Sequence, residues 1–114
     1  MADEKRLLGM IGMCRGAGRT VIGVPMICEY LKKASQSKKG TANILVIEAS
    51  DTSDNTHKRI SDRCEFYKVK RIRISSNCEE LGRALGKAAV AAVAIADASF
   101  CRAIEGKLTE ADQK

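Results

Sequence analysis

Apolar residues recur at Leu7, Leu8, Ile11 and Cys14, a spacing of three and four that predicts a helix, and the pattern stops at Gly16 and Gly18, where a glycine exit ends it. A second stripe, Val24, Ile27, Cys28 and Leu31, follows Gly23 and has Pro25 in its first turn, where a missing N–H costs nothing. It predicts a helix that runs into the polar, basic segment KKASQSKKG and ends by Gly40. The run ANILVIEA (42–49) is continuously apolar and rich in β-branched residues, which predicts a strand covered on both faces. Capping residues in SDTSDN then open a helix with Ile60, Cys64 and Tyr67 inward and Lys58, Arg59 and Arg63 outward.

Further along, VKRIRIS (69–75) alternates, with Ile72 and Ile74 on one side and Arg71 and Arg73 on the other, and reads as a strand. Ser76 and Glu79 have the spacing of a capping box ahead of Cys78, Leu81 and Leu85, a helix closed by Gly86. The run 90–96 predicts another strand, and 97–108 a last helix begun by Asp97, before a polar tail. Strands alternating with helices predict a layered α/β domain. No internal repeat or linker divides the 114 residues, so one domain is expected.

Composition narrows the function classes. Aromatic residues are only 4% of the chain and Trp is absent, so the core must be aliphatic. Twenty Lys and Arg against 14 Asp and Glu leave a net charge of +6, which favours a polyanionic partner, nucleic acid above all. Five widely spaced cysteines (14, 28, 64, 78 and 101) with a single histidine form neither a zinc site nor a disulfide framework; they read as small apolar residues of helices. The opening MADEKRLLG lacks the apolar stretch of a signal peptide, and the longest apolar run (88–96) is too short to span a bilayer. A cytoplasmic, reduced protein is expected, with no membrane and no metal.

The glycine-rich GMCRGAGRT (12–20) fails both phosphate-loop fingerprints. No glycine lies five positions before Gly18, Arg19 stands where a lysine is needed, and Val21 stands where the dinucleotide motif needs its third glycine. A nucleotide-dependent enzyme is correspondingly disfavoured. His57, amid Asn55, Thr56, Lys58 and Arg59, reads as a solvated residue, and Asp51 and Asp54 as caps of the helix that follows them. No nucleophile with a base, carboxylate pair or metal cluster is evident, so no catalytic residue and no cofactor is assigned. Basic residues beside glycine-marked turns remain: Arg15 and Arg19 around the first loop, Gly23 at a helix start, and Arg83 and Lys87 around Gly86. Glycine admits close approach of a ligand backbone, and Arg and Lys contact phosphates.

Taken together, LLGMIGMCRGAGRTVIG (7–23), IEASDTSDNT (47–56) and ELGRALGKAAVAAVAI (80–95) resemble, in order and separation, the kink-turn-binding ribosomal protein superfamily, that of the archaeal large-subunit protein of the seven-Ae type. The likeness is greatest to its small bacterial ribosome-associated members and covers about residues 5–106, with Glu80 to Lys87 its sharpest block. The resemblance implies a three-layer α/β/α sandwich around a central four-stranded mixed sheet, with Thr20 to Ile22 as a short extra strand. It also implies that the second helix start, at Gly23, enters a kinked RNA while Lys87, Ala88, Ala89 and Val90 cover an extruded base. Where the family carries an Asn-Glu pair and then a Lys, this chain has Pro25, Met26 and Glu29, which offer no side-chain donor to a base edge.

The expectation is a non-enzymatic RNA-binding protein of translation, associated with the ribosome or another structured RNA and its proteins. Its contacts would be Arg15, Arg19, Gly23, Val24, Pro25, Met26, Lys32, Lys33, Lys87, Ala88, Ala89 and Val90. The alternative is a protein interaction module on the same fold, using the apolar spot Val24-Pro25-Met26.

Overall fold

The computed structural model describes residues 2–38, 40, 41 and 43–104. Its elements are α1 (Ala2–Gly16), β1 (Thr20–Ile22), α2 (Val24–Ser35), β2 (Leu45–Glu48), α3 (Asp54–Phe66), β3 (Lys70–Arg73), α4 (Cys78–Ala84), β4 (Ala92–Ile95) and a last helix, α5, at 98–104. Four strands form one mixed sheet in the order β1-β4-β2-β3. The pairs β1/β4 and β4/β2 are antiparallel and β2/β3 is parallel.

Strand alternation sorts the apolar residues into two cores. Leu45 and Ile47 of β2 and Val93 and Ile95 of β4 pack with Leu7, Ile11 and Cys14 of α1, Leu81 and Leu85 of α4, and Cys101 and Ile104 of α5. On the opposite face Val46, Ala92 and Ala94 meet Ile27 and Leu31 of α2 and Ile60 and Cys64 of α3. The molecule is the expected α/β/α sandwich, with β2 and β4 buried on both faces. The aliphatic residues of these cores each contribute about 1.5–3 kcal/mol when fully buried.

Local chemistry explains the element ends. The Arg19 N–H donates to the Cys14 carbonyl (2.9 Å) and the Gly18 N–H to Arg15 (3.0 Å), with Gly18 at φ 72°, a glycine C-terminal motif that stops α1. Asp97 starts α5, its carboxylate accepting the Phe100 N–H at 3.0 Å.

Several sequence expectations are corrected. The capping box lies one residue later than Ser76 and Glu79. Asn77 accepts the Glu80 N–H (2.8 Å) and Glu80 accepts the Asn77 N–H (3.1 Å), because the buried Ser76 is held by its own carbonyl, which accepts the Ser50 N–H. Asp51 does not cap the helix after it. Its carboxylate accepts the Cys78 N–H at 2.7 Å and so caps α4, while Ser53 caps α3. The strands expected at 42–49, 69–75 and 90–96 are shorter, at 45–48, 70–73 and 92–95. Residues 105–108 of the last predicted helix, and the polar tail, lie outside the described residues.

Candidate functional site

The carboxyl ends of β1, β2 and β3 and the amino end of β4 lie at one end of the sheet, and Gly23 sits there. Its N–H donates to the Ala92 carbonyl (3.2 Å), extending the β1/β4 ladder by one bond, and its carbonyl accepts the Ile27 N–H (2.9 Å), opening α2. One residue both ends a strand and starts a helix only because its φ is 97°, a value that side chains resist. The start of α2 has no side-chain cap and no acidic residue in its first turn. The free first-turn N–H groups of Val24 and Met26, Pro25 having none, and the positive end of the helix dipole favour an anion there. Pro25 and Met26 are exposed, Met26 by 57%.

The α4–β4 loop reaches the same end. From Gly86 it runs back along α4, with the Lys87 N–H on the Gly82 carbonyl (2.8 Å) and the Val90 N–H on the Cys78 carbonyl (2.9 Å), and enters β4 beside Gly23. Gly82 admits this close pass, since a Cβ there would lie 2.7 Å from Ala89 Cα. Lys87, Ala88 and Ala89 are exposed. Val90 is not: at 5% exposure it anchors the loop in the core. Arg15 lies over Gly86, where a Cβ would be 3.6 Å from its Nη1. Arg15 therefore stands at the head of the loop, at the opposite end of α4 from the point where the loop enters β4.

Arg15, Arg19, Lys32 and Lys33 lie toward the other end of the sheet, Arg15 in the last turn of α1 where the chain turns into β1. Arg19 precedes β1, whose extended course separates it from Gly23 by about 13 Å. Lys32 and Lys33 belong to the last turn of α2. Arg19 Nε is 3.8 Å from Asp97, and Arg19 and Lys33 line an open surface groove with Tyr30 and Asp97. Lys33 also pairs with Glu29 at 3.4 Å. The twelve predicted positions thus divide between the two ends of the sheet rather than forming one surface.

Sequence reasoning missed Glu48. Its side chain, 0% exposed at the end of β2, accepts hydrogen bonds from the Thr52 hydroxyl, from Arg71 Nη1 (2.9 Å) and from His57 Nδ1 (2.8 Å), with Arg73 Nε at 3.8 Å. Burial alone would raise this carboxyl, but the bonds from Thr52 and His57 and the charges of His57 and Arg71 outweigh it and hold it below its ordinary value. The carboxylate is ionised, so His57 presents Nδ1–H to it. His57 is therefore a partner of Glu48 and not a free surface residue. Arg71 and Arg73 fix the end of β2, Arg73 also donating to the Ser50 carbonyl at 2.9 Å. They belong to the edge strand opposite β1, about 14 Å from it. The signal was present in the sequence, because a lone carboxylate inside a strand covered on both faces must find partners.

Burial pushes the thiols of Cys14, Cys64 and Cys78 up to about 11, so they are protonated and unreactive at neutral pH. Among the described residues no group of His, Cys, Asp or Glu is arranged to hold a metal ion, and no helix is long and apolar enough to cross a membrane.

No family model matches the chain. It is 31% identical over 91 residues, 80% of its length and 83% of the relative's, to the RNA-binding protein YlxQ of Bacillus subtilis. Among solved structures it is similar to a protein of unknown function from Bacillus halodurans C, with a TM-score of 0.77 at 25% identity over 90% of this chain and 96% of that one. The 15.5kD RNA binding protein of Giardia lamblia shares the fold, with a TM-score of 0.73 at 16% identity over 99% of this chain and 90% of that one. An α/β/α sandwich whose strand order places Gly23 beside the α4–β4 loop, with this identity over most of its length to YlxQ, makes the chain a member of the L7Ae-like protein family.

Proposed function

We propose that the protein is a non-catalytic RNA-binding protein of the cytoplasm that takes a structured RNA, ribosomal or kinked, at the Gly23 end of its sheet. The observation that carries the reading is the meeting of an uncapped, acid-free α2 start with the exposed Lys87–Ala89 loop, in a chain related to an RNA-binding protein. Phosphate would sit at the α2 N–H groups and on Lys87, and a splayed base against Ala88 and Ala89. Recognition would rest on backbone donors and shape, because Pro25 and Met26 offer no side-chain hydrogen bond. Val90 contributes by seating the loop. Arg15, Arg19, Lys32 and Lys33 add only to the long-range field. Glu48 is a poor candidate base, since its carboxylate is buried and three donors hold it ionised below its ordinary value.

A salt-titrated binding assay with a kink-turn stem-loop and a straight duplex tests this. Tighter binding to the kinked RNA, weakened in a Lys87→Ala variant, is the expected result. Equal and weak binding to both RNAs would refute shape recognition. A second reading, protein docking at Val24, Pro25 and Met26, draws on the 57% exposure of Met26; it predicts partner affinity that barely changes with salt.

A further inference from the structure

The outward face of α3 carries a feature that the Gly23 end does not use. Asn55, Lys58, Arg59, Asp62, Arg63 and Phe66 line a shallow surface groove of about 460 Å³. Lys58, Arg59 and Arg63 make no ion pair with any described residue, and Asp62 is the one acidic side chain among them. Phe66 is 74% exposed, in a chain with only two phenylalanines. Its ring is steadied edge-to-face on Tyr67, with centroids 4.9 Å apart and planes at 88°, and the Tyr67 carbonyl is tied down by the Thr41 hydroxyl at 2.9 Å.

We infer that this groove binds a single-stranded RNA segment that leaves the structured element held at the Gly23 end, its phosphates on Lys58, Arg59 and Arg63 and a base stacked on Phe66. The inference rests on the RNA-binding reading above. Charge and topology both support it. Three unpaired cations against one carboxylate suit a polyanion. Because α3 follows β2 from the Gly23 end and returns the chain to β3 at the other, the groove starts beside the proposed RNA site and leads away from it for about 16 Å. Phe66 chooses between polyanions. An acidic peptide would use the cations and gain nothing from the ring, whereas every nucleobase offers a face to an aromatic ring and to a guanidinium plane.

The test compares a kinked stem-loop RNA, bare or carrying a ten-uridine single-stranded extension, by fluorescence anisotropy with wild type, Phe66→Ala and Arg59→Ala/Arg63→Ala. Wild type is expected to bind the extended RNA about tenfold more tightly than the bare one. Both variants should lose that gain and keep the bare-RNA affinity. Equal wild-type affinity for the two RNAs overturns the α3 assignment and leaves the Gly23 site standing. Binding of the extended RNA alone, lost in Phe66→Ala, supports the α3 groove and overturns the Gly23 reading. Failure of both RNAs to bind overturns both. Displacement of the extension by a glutamate decapeptide that binds Phe66→Ala as well as wild type overturns the assignment in favour of an acidic protein partner.

Discussion

The imidazole of His57 meets the buried carboxylate of Glu48 through Nδ1, 2.8 Å from Oε2, and so fastens the first turn of α3 to the end of β2. Arg71 approaches the other oxygen from β3. One carboxylate therefore ties three elements together. Glu48→Gln should lower stability by about 3 kcal/mol, because it leaves Arg71 without its buried partner. Urea unfolding at neutral pH measures the loss.

The same carboxyl gives a pH dependence of known sign. Glu48 titrates below its ordinary value of 4.5 in the folded protein, so its stabilisation is complete above that pH and disappears as pH falls through the native-state value. Wild type should therefore lose more stability than Glu48→Gln between about pH 5 and pH 3. Parallel acid-unfolding curves for the two proteins would contradict this.

Lys68 is the one non-glycine described residue with positive φ, at 56°, in the turn where the Val69 N–H returns to the Cys64 carbonyl (2.8 Å) and ends α3. Lys68→Gly removes the strain of a side chain in a left-handed position and should stabilise the fold by about 0.5–1 kcal/mol. Thermal unfolding reads this directly.

Gly82→Ala should have the opposite effect. Its methyl group would press on Ala89 Cα at 2.7 Å and on the Ala89 nitrogen at 2.8 Å, both backbone atoms that cannot swing away. Overpacking of this kind costs about 1–3 kcal/mol. Displacement of the 86–89 loop should also weaken RNA binding, which separates this variant from one that is merely less stable.

The two ends of the sheet can be told apart by charge removal. Lys87→Ala should reduce the salt dependence of RNA binding by about one counterion. Arg19→Ala should leave it nearly unchanged, since that guanidinium lies at the far end near Asp97. Equal effects of the two would place RNA across both ends.

How much of this was legible depended on how local each cause is. The α1 stop at Gly16 to Gly18 and the α2 start at Gly23 were readable because backbone conformation and apolar spacing decide them within a few residues. The α4 cap was misplaced by one residue because Ser76-x-x-Glu79 and Asn77-x-x-Glu80 fit the motif equally. What selects the second is the approach of Ser50 and Asp51 from a distant loop. Glu48 was missed for the same reason, its partners Thr52, His57 and Arg71 arriving from three different segments. Arg19 and Gly23 looked adjacent at four residues' separation, but a strand between them turns sequence proximity into distance.

The strand order leaves β1 and β3 as the sheet's two open edges. Each is short, three residues and four, and β3 reads Lys70-Arg71-Ile72-Arg73, so an incoming chain that tried to extend the sheet there would meet a cationic fringe. Arginines that fasten Glu48 inside the molecule thereby also deter fibrous self-association, and neutralising Arg73 should speed aggregation of the concentrated protein more than it lowers stability.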